Sequence, residues 1–352
     1  MSNQLARALV CALVGALALG GCGTTASQQP STSSAYARSA LAAAAARGKG
    51  KSPLSGRSLY VNPANPAALE ARRLLAQGNT HDAGLLQRIA TRPVGTWFAS
   101  ESPQLEAQVA ALANAANARH KLALIVAYYL PQRDCGAGYS SGGAPTPSAY
   151  LDWIGRIAAG IGSGRAIVIL EPDAVPDIVA GCLNTNAVHE RLELLQQAIA
   201  ALKRDPGVLV YLDAGNAGWI KPSSKLLAPL RAAGLAEADG FALNVANFES
   251  TAASIGYGKA LSRKLHGAHF VIDTSRNGNG VDRDPADKPT WCNPPGRALG
   301  QPPTTRTGVA GVDAFLWIKP PGASDGNCRP GAPPAGQWWA QYALQLAAAA
   351  QF

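Results

Sequence analysis

Four aspartates, Asp134, Asp173, Asp213 and Asp325, each stand shortly after a short apolar run. None of the five histidines (His81, His120, His189, His266 and His269) falls in an HxH or HExxH pattern. No zinc-ligand spacing or nucleophile elbow is read, so neither a metal nor a cofactor is expected. Carboxylates accompanied by tryptophans suit glycosidic-bond chemistry. One acid protonates a leaving oxygen, another activates water, and flat rings stack on sugar faces. A single acid after a strand is as readily a turn former or a helix cap. Four acids after four such runs are much harder to explain as caps.

The elements that must carry these residues are seven apolar runs read as buried strands. They are Val94–Phe98, Leu122–Tyr129, Ala166–Leu170, Val208–Leu212, Gly240–Val245, His269–Ile272 and Ala314–Ile318. Helical patterns separate most of them: Pro103–Arg119 with Ser102 as N-cap, Ser148–Ile161, Ala187–Arg204, Ser223–Ala233 and Thr251–Leu265, with Gln337–Ala350 following the last strand. Strands alternating with helices predict an α/β fold with a parallel sheet. Seven strands without a dinucleotide fingerprint predict a distorted seven-stranded parallel β/α barrel in a single domain. The glycine-rich stretch Gly160–Gly164 precedes a strand and is a loop, not a phosphate cradle. Almost every run ends in an acid, an amide or a tryptophan: Trp97, Arg133 and Asp134, Glu171 and Asp173, Asp213, Asn244 and Asn247, Asp273 and Arg276, Lys319 and Asp325. In a parallel barrel those ends converge on one face, where such folds place their sites.

Of 352 residues, 47% are hydrophobic and 15% charged, which is ample for one large core. The net charge of +9 is scattered along the chain and no nucleic-acid motif is present, so no nucleic-acid partner is expected. Residues 1–21 carry one charge, Arg7, ahead of an apolar run from Ala8 to Leu19 too short to span a bilayer. That reads as a signal peptide. Leu19-Gly20-Gly21-Cys22 resembles a lipobox, which would make Cys22 the lipidated N-terminus of an envelope lipoprotein; secretion after ordinary cleavage is the alternative. Residues 22–56 read as a disordered tether and 57–352 as the catalytic domain, with no second module and a monomeric state expected. Two disulfides are expected from the remaining cysteines. A Cys135–Cys182 bond would tie together the loops bearing Asp134 and Asp173, and a Cys292–Cys328 bond would pin the Asp325 loop beside Trp291.

From about Ser58 to Phe352 the chain resembles glycoside hydrolase family 6, the cellobiohydrolases and endoglucanases. The resemblance rests on Tyr128-Tyr129-Leu130-Pro131-Gln132-Arg133-Asp134-Cys135, Ile169-Leu170-Glu171-Pro172-Asp173, Tyr211-Leu212-Asp213-Ala214-Gly215, Ile272-Asp273-Thr274-Ser275-Arg276-Asn277-Gly278, Trp291-Cys292-Asn293-Pro294-Pro295-Gly296 and Trp317-Ile318-Lys319-Pro320, in that order. It implies an inverting hydrolase of cellulose or a related β-glucan. Asp173 would be the general acid and Asp134 its neighbour linked to the attacking water. Ser140 would hold that water, and Tyr128 would press on the distorted sugar. Asp213 and Asp325 would complete the acid ring, with Lys319 contacting sugar. Trp97, Trp219, Trp291 and Trp317 are expected as platforms or their neighbours, and Asn247 as a further sugar contact. Two positions depart from the family: Asn216 where it usually has His, and Ala323 where it usually has Glu. A glucan-binding lipoprotein without catalysis is therefore the competing reading. Only 27 residues follow Asp325, too few for a long roof, so an open cleft and endo-cleavage are expected, with Gly136–Pro147 the first suspect should the cleft prove covered.

Overall fold

The computed structural model describes residues 50–284 and 288–352. The expected signal peptide, Cys22 and most of the tether lie outside them. Seven strands form one sheet in sequential order, every neighbouring pair parallel. They are β1 (Thr96–Phe98), β2 (Ala123–Ala127), β3 (Ala166–Leu170), β4 (Val208–Asp213), β5 (Gly240–Leu243), β6 (Phe270–Asp273) and β7 (Val312–Leu316). The sheet curls into a distorted barrel, and the seam between β7 and β1 is closed by a single bridge, Val94 to Trp317. There the Gly95 N–H donates to the Trp317 carbonyl at 2.8 Å. A methyl group on Gly95 would come 2.2 Å from the Ile318 oxygen, so only glycine lets the two edges meet.

Alternate residues of each strand face two different cores. Leu124, Val126, Ile167, Ile169, Leu209, Tyr211, Val271 and Leu316 fill the barrel interior. Ile125, Val168, Val210, Leu212, Phe241 and Ile272 face outward under the helices. Leu54, inside the stretch read as tether, is already fully buried in the interior cluster.

Outside the sheet lie α1 (Pro66–Ala76), α2 (Thr80–Ala90), α3 (Leu105–Asn117), α4 (Pro147–Ile161), α5 (Ala174–Ala180), α6 (Thr185–Leu202), α7 (Leu227–Ala232), α8 (Thr251–Lys264) and α9 (Ala340–Ala348). Side chains of Asn65, Asn79, Thr146, Asn184 and Ser250 cap five of these helices. Ser102 is not a cap. The α3 helix starts two residues later than that reading requires, after Gln104, and the Ser102 hydroxyl accepts from the Gln104 N–H. Helices α1, α2 and α5 were not anticipated, and Ser223–Ala233 divides into a 3₁₀ turn, Ser223–Leu226, and α7. None of the described helices is long and apolar enough to cross a membrane.

Candidate active site

The C-terminal ends of the strands bring the predicted acids to one end of the barrel, and the backbone there is unusually strained. Nine non-glycine residues have positive φ, and seven of them lie in loops that follow strands or border the acids: Gln132, Asp134, Glu171, Asp173, Asn244, Ala246 and Asn293. Left-handed conformations of this kind persist where the surroundings fix them, and they concentrate at functional sites.

Asp173 follows β3 and stands before α5 at φ 70°. Its N–H donates to Asp213 Oδ2 at 3.0 Å, and the Gly215 N–H meets the same oxygen at 3.0 Å. Asp213 Oδ1 is buried without a hydrogen-bond partner. Burial, then the Asp213 carboxylate, then Asp177 and Asp134 push the Asp173 carboxyl well above the usual carboxylate range. Burial pushes Asp213 up to about 7, against the N–H groups of Asp173 and Gly215 that favour its charge. Both carboxyls are thus shifted toward the protonated form, Asp173 the more strongly.

Asp134 lies within the loop after β2. Its Oδ2 accepts from the Ser140 N–H at 2.6 Å and the Ser140 hydroxyl at 3.0 Å, and Ser140 Oγ lies 3.1 Å from the Tyr128 hydroxyl. Arg133 lies 4.6 Å over the Tyr128 ring and donates to the Ser140 carbonyl at 2.8 Å, to Ala99, and by a short bond to the Tyr128 carbonyl. Gly138-Tyr139-Ser140-Ser141-Gly142 has the Gly-x-Ser-x-Gly spacing that the sequence reading passed over. It is no nucleophile elbow: it lies in the loop between β2 and α4, and Ser140 is bonded to an aspartate and a tyrosine, with no histidine in reach of its hydroxyl bonds.

Asp325 is held as an ion. Arg276 donates to Oδ2 at 2.8 Å, the Asn293 N–H to the same oxygen at 3.1 Å, and Lys319 Nζ stands 3.3 Å from Oδ1. Burial opposes its charge, but Arg276 and Lys319 outweigh burial and hold the carboxyl below its usual range. Lys319 also lies 5.4 Å over the Trp97 ring, whose indole N–H donates to the Ile318 carbonyl. Trp97 in turn meets Tyr128 edge-on at 5.5 Å, which links Asp325 to the Asp134 side of the site.

Trp219 is 38% exposed on the loop after Asp213. Trp291 is half-buried and meets Tyr139 edge-on at 5.8 Å. Asn247 is half-buried on the loop after β5, its side-chain oxygen accepting from the Phe248 N–H. Trp317 is no platform: it points outward, fully buried among α1, α2 and α9, with its indole N–H on the Gln301 carbonyl. Neighbouring Leu316 and Ile318 point into the barrel, so strand alternation forces Trp317 the other way. Asp273, at the end of β6, is a structural node. Its oxygens accept from the N–H groups of Ala246, Ser275, Ile318 and Lys319.

Three residues that position the site went unassigned in the sequence. The buried Glu171 carboxylate accepts from the Tyr129 and Leu130 N–H groups and so fixes the start of the Asp134 loop. Arg191 of α6 donates to the Gln132 carbonyl at 2.7 Å and the Ala174 carbonyl at 3.2 Å, and pairs with buried Asp177 at 3.4 Å. It thereby clamps the loops of both Asp134 and Asp173. Both expected disulfides form, Cys135–Cys182 and Cys292–Cys328.

Residues 54–350 match Glycosyl hydrolases family 6. The chain belongs to this family. It is 41% identical to endoglucanase 1 of Streptomyces halstedii, an alignment covering 82% of this chain and 87% of that one. It is 40% identical to endoglucanase A of Cellulomonas fimi over 84% of its own length, but this spans only 61% of that longer protein. An endoglucanase from Mycobacterium tuberculosis, solved in complex with a methyl cellobiosyl thio-cellobioside, superimposes with a TM-score of 0.79 at 42% identity, covering 85% of this chain and 99% of that one. The catalytic core of a Chaetomium thermophilum cellobiohydrolase gives 0.72 at 28% identity over 86% and 99%. The family member described here is a glycoside hydrolase of the cellulase type.

Proposed function

We propose that this hydrolase is an exported, inverting endo-β-1,4-glucanase in which Asp173 protonates the leaving oxygen. The observation that carries the reading is the placement of Asp173 directly against the Asp213 carboxylate, with its N–H 3.0 Å from Asp213 Oδ2, where burial and that neighbouring charge raise its carboxyl above the usual range. A general acid must hold its proton at the working pH, and a second carboxylate beside it is the common means. Asp134, with Ser140 and Tyr128, would order the attacking water on the other face of the sugar, and inversion follows from that division of labour. Asp325, committed to Arg276 and Lys319, is assigned to field and shape rather than proton transfer. The Lys319 amine and the Trp97 ring would bound one sugar site, with Trp219, Trp291 and Asn247 bounding others.

Endo-cleavage is supported by the chain after Asp325. It turns back at once: the Ser324 N–H donates to the Gln337 carbonyl and the Gly336 N–H to the Ser324 carbonyl, both at 2.9 Å. Beside this turn, Tyr139 of the loop after β2 packs against Gly326 and Trp291. The two disulfides support export, since such bonds persist in oxidising compartments.

One assay tests the reading. On mixed-linkage β-glucan, the native protein should collapse viscosity while few reducing ends have formed, and fresh product should appear by NMR as the α-anomer. Asp173→Asn should lower turnover by more than the ~10²–10⁴ credited to acid–base help alone. Glucan binding without release by the native, oxidised protein would favour the non-catalytic reading that Asn216 and Ala323 keep alive.

A further inference from the structure

Glu249 lies on the loop after β5, two residues beyond Asn247, and no role has been assigned to it. Its backbone is held rigidly. The N–H donates to Asn244 Oδ1 at 3.0 Å, and its carbonyl accepts from Asn244 at 3.1 Å and Asn277 at 2.9 Å. The carboxylate, by contrast, makes no hydrogen bond or ion pair among the described residues, although the residue is half-buried. It rests against Gly218, where a methyl group would come 2.2 Å from Oε1. A side chain at 218 would therefore displace the carboxylate from this position. Gly218 joins Asn216, whose side-chain oxygen accepts the Gly218 N–H at 3.0 Å, to the exposed Trp219.

A fixed, half-desolvated carboxylate with no partner, beside an exposed aromatic face, is an acceptor awaiting hydroxyl donors. Sugar hydroxyls bind carboxylates through charge-assisted bonds stronger than neutral ones. Lys319 and Arg276 cannot neutralise it, because both are committed to Asp325.

We propose that Glu249 is a specificity-determining residue. Its carboxylate accepts hydroxyl hydrogen bonds from the glucose unit stacked on Trp219, and its charge selects neutral β-glucans over anionic, carboxylate-bearing ones. The proposal rests on the glucanase reading above. Selection against acidic substituents follows because a like charge brought beside an unpaired carboxylate is repelled, which is discrimination by an unfavourable contact.

The test separates the two claims. In an Asp173→Asn background, cellotetraose affinity is read by tryptophan fluorescence with no turnover. Adding Glu249→Ala should weaken it about tenfold, the scale of one charge-assisted hydrogen bond. Gly218→Ala, which keeps the charge but displaces it, should weaken it as well. In the otherwise native enzyme, Glu249→Gln should raise kcat/KM on carboxymethyl cellulose relative to neutral mixed-linkage glucan at least fivefold, an effect that added salt on the native enzyme partly mimics. Unchanged affinity in both variants, or an unchanged substrate ratio, overturns the assignment of Glu249 alone. Failure of the Asp173→Asn parent to bind cellotetraose would overturn the glucanase reading and this inference with it.

Discussion

Glu171 is fully buried, and its oxygens are engaged by the backbone N–H groups of Tyr129 and Leu130, with the Tyr150 hydroxyl as a neighbour and no ion pair among the described residues. Burial pushes its carboxyl up to about 7. The sign of the consequence is set by that direction. Below the unfolded value near 4.3 the acid is protonated in both states and costs nothing. As pH rises toward 7 the unfolded chain ionises first, and stability falls by about 3 kcal/mol over that window. Glu171→Gln keeps an acceptor for the two amides and removes the titration. Urea unfolding at pH 5 and pH 8 should therefore show a smaller loss in the variant; Asp213, also raised to about 7, keeps part of the slope in both. Parallel pH curves would mean that Glu171 does not titrate in this window. Its position in the Glu-Pro-Asp motif was visible in the sequence, but its task was not. The amides it binds belong to the neighbouring strand's loop, and parallel register cannot be read from one run of residues.

Among the elements, the loops after β2 and β3 matter most, and α6 governs both through Arg191. Removing the guanidinium would leave Asp177 buried and unpaired and would free the Gln132 and Ala174 carbonyls. Breaking one partner of a buried pair typically costs ~3–5 kcal/mol. Arg191→Ala should lose stability on that scale and lose turnover beyond it, because both acid loops are released together. The double variant Arg191→Met with Asp177→Leu removes both charges and should recover much of the stability but little of the turnover. Recovery of both would reduce Arg191 to a purely structural role. The strands were legible because parallel, doubly buried runs are continuously apolar, and all seven lie where the pattern put them. Helices α1 and α2 were missed although each is amphipathic: their buried faces mix alanines (Ala67, Ala68, Ala71, Ala83, Ala90) with Leu74, Leu86 and Ile89. The same omission hid the partners of Trp317 and left it looking like a platform.

In the whole molecule the two ends of the barrel do different work. The acids and the strained loops occupy the C-terminal ends of the strands. The described chain enters at the other end, where Leu54 plugs the interior and Leu59 pairs with Leu122 just ahead of β2. Strand order and the polarity of the barrel followed from alternation alone. Near-closure was expected from seven such runs as well, but the device that achieves it was not, because it depends on one bridge at Val94 and on the absence of a side chain at Gly95. The sequence also carries a candidate anchor ahead of Leu54. The leader ends its apolar run in Leu19-Gly20-Gly21-Cys22, the pattern of a lipid-modified cysteine, and we propose that this is the anchor. Cys22→Ser should then move the protein from the membrane fraction to the soluble fraction. Turnover on soluble mixed-linkage glucan should not change, since Cys22 lies 32 positions before Leu54, the first fully buried residue among those described, and outside both disulfides. If both forms fractionate alike, the leader serves ordinary secretion. If the variant is released but also inactive, the anchor contributes to the working state of the cleft, and the assignment of Cys22 to anchoring alone fails.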